Sequence, residues 1–231
     1  MQYPTSLIHG RLIRRYMRFL ADVELDSGEV VTAHCTNSGS MKSCLEAGAS
    51  VYLSSVADPK RKTRFTWEMI EINGLWVGIN TALPNKLVFE WVKNGTIPGL
   101  QGFDEVRTEV KYKDSRLDLM ARKPGETCFI EVKNVTLKVG EQALFPDAVT
   151  LRGQKHIKTL MELRQNGMRS VMLYVIQRMD VNTFGPADEI DPSYGQLLRQ
   201  AWKNGVEILP VQVKVTPAGI EFHKILPLRF S

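Results

Sequence analysis

Asp118, Glu131 and Lys133 are the residues of this chain whose types and spacing could do phosphate chemistry. Asp118 lies in SRLDLM (115–120), flanked by Leu117 and Leu119, and Glu131 and Lys133 lie in CFIEVKNV (128–135). In a β-strand alternate side chains share a face. Glu131 and Lys133 therefore point one way while Ile130 and Val132 point the other. If the two strands are neighbours, Asp118 lies opposite the pair, and two carboxylates converge with one ammonium. That set suits a hard divalent cation, Mg²⁺ or Mn²⁺, held by oxygen, with the lysine near an activated water or a phosphate. A Glu-x-Lys triplet alone carries little weight, because charges alternate on many solvated strands. The elements that position it must decide.

From Thr81 onward the pattern reads helix, three strands, helix, strand, helix, strand. TALPNKLVFEWVKNG (81–95) has Pro84 near its start and Asn94-Gly95 at its end, both helix punctuation. Leu83, Leu87 and Trp91 mark its apolar stripe, and Glu90 falls inside that stripe. A carboxylate buried there would need a partner or a metal, so Glu90 is a candidate third ligand, with a water-facing edge position as the alternative. FDEVRTEVKY, SRLDLMA and TCFIEVKNV follow, joined by Lys113-Asp114 and Pro124-Gly125. Such short links predict an antiparallel meander, which makes Asp118 and Glu131 neighbours. TLRGQKHIKTLMELRQNG and PSYGQLLRQAWKNG read as helices around the apolar strand SVMLYVIQ (170–177), and VEILPVQVKV and GIEFHKILPL finish the sheet. ADEID (187–191) reads as a cap for the helix that Pro192 begins. The expected architecture is an α/β sandwich around a mixed sheet, over residues 81–231.

Residues 1–80 read differently. About five short strands, including a hairpin signalled by Asn73-Gly74, fit a small barrel of the OB type. Such barrels bind strands of nucleic acid with basic grooves and aromatic platforms. Tyr16, Phe19, Tyr52, Phe65, Trp67 and Trp76 are the aromatic candidates, and most of them are equally suited to the core. Arg11, Arg14, Arg15 and Arg18 fall within eight positions, and Lys60, Arg61, Lys62 and Arg64 within five. Net charge is only +5, so it is this clustering that points to phosphate contact. The loop Thr36–Lys42 (TNSGSMK) could hold a phosphate through backbone N–H groups, hydroxyls and Lys42, or be an ordinary polar turn. Arg152, Lys155 and Lys158 near the start of the second helix could touch a flanking phosphate. His156 could face the same site, a solvated helical position being the alternative.

At 43% hydrophobic and 24% charged residues, the composition is that of a folded water-soluble protein. The sequence has no apolar run long enough for a membrane span and no signal-peptide pattern. Cys35, Cys44 and Cys128 are odd in number and lack CxxC spacing, which argues against a disulfide framework or structural zinc and for the cytoplasm.

An Asp on the second strand and a Glu-x-Lys on the third of such a sandwich resemble the core of the PD-(D/E)XK nucleases. Gln154 stands where some members of that superfamily carry a glutamine, and the resemblance implies a catalytic set of Asp118, Glu131, Lys133 and Gln154. The whole chain resembles the sugar fermentation stimulation protein A family nearly end to end. The resemblance is carried by RYMRFLADVEL (15–25), HCTNSGSMKSCLEAGA (34–49), PKRKTRFTWE (59–68), GINTALPN (78–85), SRLDL (115–119), EVKNVTL (131–137), ALFPDAVTLRGQKH (143–156) and PADEIDP (186–192). It implies an OB-like domain at 1–80 and a restriction-endonuclease-like domain at 81–231, with DNA favoured over RNA as partner. Two functions stay open: a Mg²⁺- or Mn²⁺-dependent nuclease with metal at Asp118, Glu131 and Glu90, or a non-catalytic, sequence-nonspecific DNA-binding regulator linked to maltose metabolism. An RNA-processing enzyme is a third reading.

Overall fold

A computed structural model describes residues 1–230. Six strands open the chain: β1 (Ile8–Tyr16), β2 (Leu20–Leu25), β3 (Val30–His34), β4 (Ser50–Ser55), β5 (Phe65–Ile72) and β6 (Leu75–Gly78). They pair in the order β3-β2-β1-β4-β5-β6, and a parallel contact between β3 and β5 closes the first five into a barrel. Alternation supplies the inside: Leu12, Ala21, Val23, Ala33, Val51, Leu53 and Trp67 are all fully buried. Trp67 is therefore core, and its indole N–H is satisfied by the Met69 carbonyl at 2.9 Å.

The rest of the chain forms α1 (Leu83–Lys93), β7 (Glu105–Tyr112), β8 (Ser115–Lys123), β9 (Glu126–Val135), β10 (Lys138–Val139), β11 (Gln142–Phe145), α2 (Leu151–Gln165), β12 (Arg169–Ile176), β13 (Thr183–Pro186), α3 (Pro192–Lys203), β14 (Glu207–Thr216) and β15 (Gly219–Ile225). The main sheet runs β15-β14-β12-β9-β8-β7, antiparallel at both ends and parallel across β9, β12 and β14. This is the expected mixed sheet between helical layers. Each central strand buries both faces. Val171, Leu173 and Val175 pack toward α1, whereas Met172, Tyr174 and Ile176 pack toward α2 and α3. The helix starts follow their sequences: the Thr150 hydroxyl accepts the Gly153 N–H, and the Asp191 carboxylate accepts the Tyr194 N–H. Among the described residues, no helix is long and apolar enough to cross a membrane.

Two features depart from the expected plan. A small sheet, β10-β11-β13, lies beside the main one; its strands are two to four residues long, too short to show a period. Residues at the very start, grouped with the barrel by the 1–80 boundary, run instead along β15. Met1 and Ile220 exchange hydrogen bonds there, at 2.8 and 2.9 Å. The barrel also shares a core with the second half, because Met69, Tyr52 and Trp76 pack into the cluster built by α1 and the main sheet.

Candidate metal centre and nucleic-acid interface

The β8–β9 ladder runs from Lys123↔Glu126 to Leu119↔Ile130 and stops one residue short of Asp118. On its other side, β8 pairs with β7 at Thr108↔Leu119 and Val110↔Leu117, skipping Glu109, whose backbone is left-handed (φ 54°). Asp118 thus sits where both neighbouring strands let go. Its carboxylate fills the gap, accepting the Val132 N–H at 2.7 Å and the Asn85 side-chain amide of α1 at 2.7 Å. Burial, then the negative charge of Glu131, push the Asp118 carboxyl up to about 6.

Glu131 and Lys133 share the β9 face that packs under α2. Lys133 Nζ donates to Glu131 Oε1 at 2.5 Å, and the His156 imidazole Nδ1 meets the same oxygen. Lys133 Nζ lies 3.4 Å from His156 Nδ1. Glu131 is 1% exposed, and its second oxygen, Oε2, is buried with no hydrogen-bond partner. Burial alone would raise the Glu131 carboxyl, but the His156 hydrogen bond and the Lys133 charge outweigh it and hold the group below its ordinary value. A buried anionic oxygen without a partner is costly. It is the kind of atom a cation would satisfy.

The structure thus joins Glu131, Lys133 and His156 directly and stations Asp118 at the adjoining gap, its hydrogen bonds directed to Val132 and α1. Among the described residues, no three His, Cys, Asp or Glu side chains cluster in a metal-holding arrangement. A cation here would rest on two carboxylates, with its remaining positions left to water and phosphate oxygens, a composition ordinary for Mg²⁺.

Two expected placements, Glu90 and Gln154, are corrected. Glu90 is exposed: the buried face of α1 is Pro84, Leu87, Val88, Trp91 and Val92, and Glu90 lies at its edge. It borders a cavity of about 230 Å³ with Lys86, Glu109 and Asp118, so it shares a mouth with Asp118 without being a desolvated ligand. Gln154 does not reach Glu131. Its amide is held by the Asp191 carboxylate at 3.0 and 3.2 Å, which ties α2 to the start of α3. Lys155 pairs with Asp114 at 2.8 Å in the β7–β8 turn. The α2 residue that faces the site is His156, two positions after Gln154; the roughly 100° step per helical residue separates them. The sequence held no pattern that would choose it over the glutamine.

The basic residues divide by use. Arg18, Lys42, Lys60, Lys62, Arg64 and Arg152 are exposed. Arg11 donates to the Gly48 carbonyl at 3.2 Å, and Arg14 pairs with Asp22 at 2.8 Å. Arg15 is turned inward, donating to the carbonyls of Arg18, Asn37 and Gly39. Arg61 donates to the Thr66 hydroxyl and lines a polar cavity of about 420 Å³ with Lys62, Glu68 and Asn80. In the 36–42 loop, the amides expected for a phosphate have protein partners: Gly39 N–H on Asn37 Oδ1 and Ser40 N–H on Asp147 Oδ2. Asp147 approaches so closely that a Cβ on Gly39 would stand 2.1 Å from its carboxylate.

Comparison with known proteins adds to this geometry. The sequence matches the family model described as "Sugar fermentation stimulation protein RE domain" over residues 82–219 and that described as "SfsA N-terminal OB domain" over 13–79. A sugar fermentation stimulation protein homolog from Geobacter metallireducens is 53% identical over 230 residues, covering 99% of both chains. A homolog from Geobacter sulfurreducens is 54% identical over 229 residues, covering 99% of this chain and 98% of its own. The structure of Pyrococcus furiosus SfsA in complex with Ca²⁺ is similar with a TM-score of 0.90 at 28% identity, covering 99% of this chain and 98% of that one.

Proposed function

The chain belongs to the sugar fermentation stimulation protein family, and on that premise we propose that it is a cytoplasmic nucleic-acid-binding protein that cleaves phosphodiester bonds with Mg²⁺ or Mn²⁺. DNA is the favoured partner. In this reading residues 1–80 supply most of the grip on the backbone and residues 81–231 the chemistry. The observation that carries it is the buried, unpartnered Glu131 Oε2 beside Lys133, with the Asp118 carboxylate at the neighbouring strand gap. The Ca²⁺ held by the Pyrococcus furiosus relative is the same class of hard, oxygen-seeking ion.

Glu131 Oε2 and Asp118 would hold the cation. Such an ion polarises the phosphoryl oxygen and lowers the pKa of a bound water. Lys133 would place positive charge where the attacked phosphate gains negative charge. His156 would keep Glu131 Oε1 occupied and so leave Oε2 as the oxygen open to the cation. Gln154, tied to Asp191, would act on the site only through the seating of α2.

One observation favours the non-catalytic alternative: the Lys133 ammonium is already engaged by Glu131 and lies against His156. A regulator that uses the cleft for binding alone would need nothing more. Labelled DNA and RNA duplexes, single strands and forks, incubated with and without Mg²⁺ or Mn²⁺, separate the two. Nuclease action predicts metal-dependent cleavage by the wild type, and its loss in Asp118→Asn, Glu131→Gln and Lys133→Ala with binding kept. Binding without cleavage across the panel, strengthened when a carboxylate is neutralised, identifies the regulator. Cleavage surviving all three substitutions removes the site assignment.

A further inference from the structure

Two hairpins of the barrel turn on residues with left-handed backbone. Between β5 and β6 these are Asn73 (φ 52°) and Gly74 (φ 75°), residue types that adopt this conformation readily. Between β1 and β2, where pairing ends at Tyr16↔Leu20, the turn is Met17-Arg18-Phe19. Here Met17 (φ 49°) and Arg18 (φ 67°) are both left-handed, against the preference that Cβ imposes on long side chains. The apolar side chains are also left in water: Met17 is 67% exposed and Phe19 48%. Neither backbone preference nor solubility favours these residues in this turn, whereas Asn-Gly serves both in the same barrel. Residues that sit against both backbone preference and solubility point to something they touch.

The tip is stiff and well placed. Arg15 donates to the Arg18 carbonyl through Nε at 3.0 Å and Nη2 at 2.7 Å, and Nη2 reaches the carbonyls of Asn37 at 2.8 Å and Gly39 at 3.1 Å. The Phe19 carbonyl accepts the Cys35 N–H at 2.9 Å. The turn is thereby fixed to the 36–42 loop. That loop lines a cavity of about 370 Å³ together with Asn134 and Val135 at the end of β9 and Val149 and Thr150 at the start of α2. Charge identifies the occupant. The hairpin Ile8–Leu25 carries Arg11, Arg14, Arg15 and Arg18 against Asp22 and Glu24, which favours a polyanion. Two apolar side chains bury too little to anchor a bilayer, but Phe and Met flanked by arginine suit the flat faces of bases.

We propose that the Met17-Arg18-Phe19 turn is a wedge that enters between stacked bases and opens a duplex beside the cavity between the 36–42 loop and the end of β9. This rests on the nucleic-acid reading above and goes beyond it, because phosphate gripping alone requires no unstacking.

The test uses the full chain and a short DNA duplex in which one base is replaced by 2-aminopurine, whose fluorescence rises on unstacking. Wild-type protein should raise the fluorescence severalfold, more at a fork than inside a blunt duplex. Met17→Asn/Phe19→Ala should abolish the rise and weaken binding roughly tenfold, the scale of removing one base stack. Its salt dependence should be unchanged, since no charge is removed, and its melting temperature should hold or increase, because Asn tolerates the left-handed turn. Binding without a fluorescence rise, or a rise that survives the double substitution, overturns the wedge and leaves the nucleic-acid reading intact. No binding to DNA or RNA overturns both. A double variant that instead loses self-association or binding to anionic vesicles, with no change in base stacking, reassigns the tip and also overturns the proposal.

Discussion

The Asp118 carboxylate, one residue past the last β8–β9 pair Leu119↔Ile130, takes the backbone N–H of Val132, two residues past it on β9, at 2.7 Å. A side chain substitutes for a strand partner, and in doing so draws an anion into the sheet beside Glu131. Paired strands would satisfy the same N–H without burying a charge. The gap therefore has a stability cost, and that cost gives the site a signature measurable without any substrate.

Asp118→Asn should stabilise the protein at alkaline pH. The Asp118 carboxyl sits at about 6 in the folded chain against an ordinary 3.8. Between those values the folded state binds more protons than the unfolded one, so wild-type stability falls as pH rises through the window. Above about pH 6 the penalty is complete, on the order of 2–3 kcal/mol. Asparagine removes the charge and keeps the Val132 bond through its one acceptor oxygen, and the Asn85 amide can turn over to accept from the new NH2 group. Thermal melts should show the variant several degrees above wild type at pH 8 and level with it near pH 4. Ca²⁺ should raise the wild-type melting temperature at pH 8 and leave the variant almost unmoved. A variant less stable than wild type at pH 8 would mean that the charge is already compensated within the protein.

His156 is a positioning residue, and its two replacements should part ways. Phenylalanine fills the space but leaves Glu131 Oε1 with Lys133 alone; asparagine can still donate. His156→Phe should lose about 2–3 kcal/mol of stability and bind Ca²⁺ at least tenfold more weakly, whereas His156→Asn should recover most of both. Calcium titration followed by calorimetry reads this directly. Equal calcium affinity in the two variants would reduce His156 to packing.

The basic residues should separate into grip and scaffold. Replacing Arg18, Lys60, Lys62 and Arg64 with alanine should flatten the slope of log affinity against log salt by roughly 0.9 for each duplex phosphate no longer neutralised, with little change in melting temperature. Arg15→Ala should do the reverse. It strips donors from the partly buried Asn37 and Gly39 carbonyls and should cost about 1–3 kcal/mol of stability. A salt slope that moved as much for Arg15→Ala as for an exposed lysine would refute this division.

The legible part of the sequence was whatever followed a period or a turn rule. The meander of β7, β8 and β9 could be read because Lys113-Asp114 and Pro124-Gly125 are turn pairs between alternating runs, and the two-residue spacing of Glu131 and Lys133 fixed their common face. Glu90 misled because helical periodicity locates a stripe only to within a residue's width, and Leu83, taken as its anchor, is itself only half-buried. Gln154 and His156 could not be ranked from sequence, since the deciding fact is tertiary: Asp191, 37 residues away, claims the glutamine. The break at Glu109 and Asp118 was equally hidden. It replaces ladder bonds with a side-chain bond and shifts the facing of β8, so that Leu119 packs toward α1 while Leu117, two residues before it, packs toward α2 and α3. The double use of Arg15 follows from the path of the 36–42 loop, for which no local pattern exists.

Arg178 should be the residue on which the seating of the barrel most depends. It is 1% exposed, yet every direction of its guanidinium is used. Nε and Nη2 form a two-pronged pair with Asp180 at 2.7 and 2.9 Å. Nη1 donates to the Thr136 carbonyl at 2.6 Å and to the Ser43 carbonyl and hydroxyl at 3.2 and 3.1 Å. Ser43 follows the barrel strand β3, and Thr136 follows β9, so one side chain ties the barrel side to the strand that carries Glu131 and Lys133. Lys138 also holds Asp180, at 2.7 Å, and the two cations keep that carboxyl down at about 2. Arg178→Met preserves bulk and removes the donors. It should cost about 3–5 kcal/mol, the scale of breaking one side of a buried pair, and should split urea unfolding into two steps as the barrel and the main sheet lose their common tie. Arg178→Lys should recover only part, because an ammonium cannot span Asp180, Thr136 and Ser43 together. A single unfolding step in Arg178→Met, shifted by less than about 1 kcal/mol, would show that the shared apolar core around Met69 holds the halves together without the arginine.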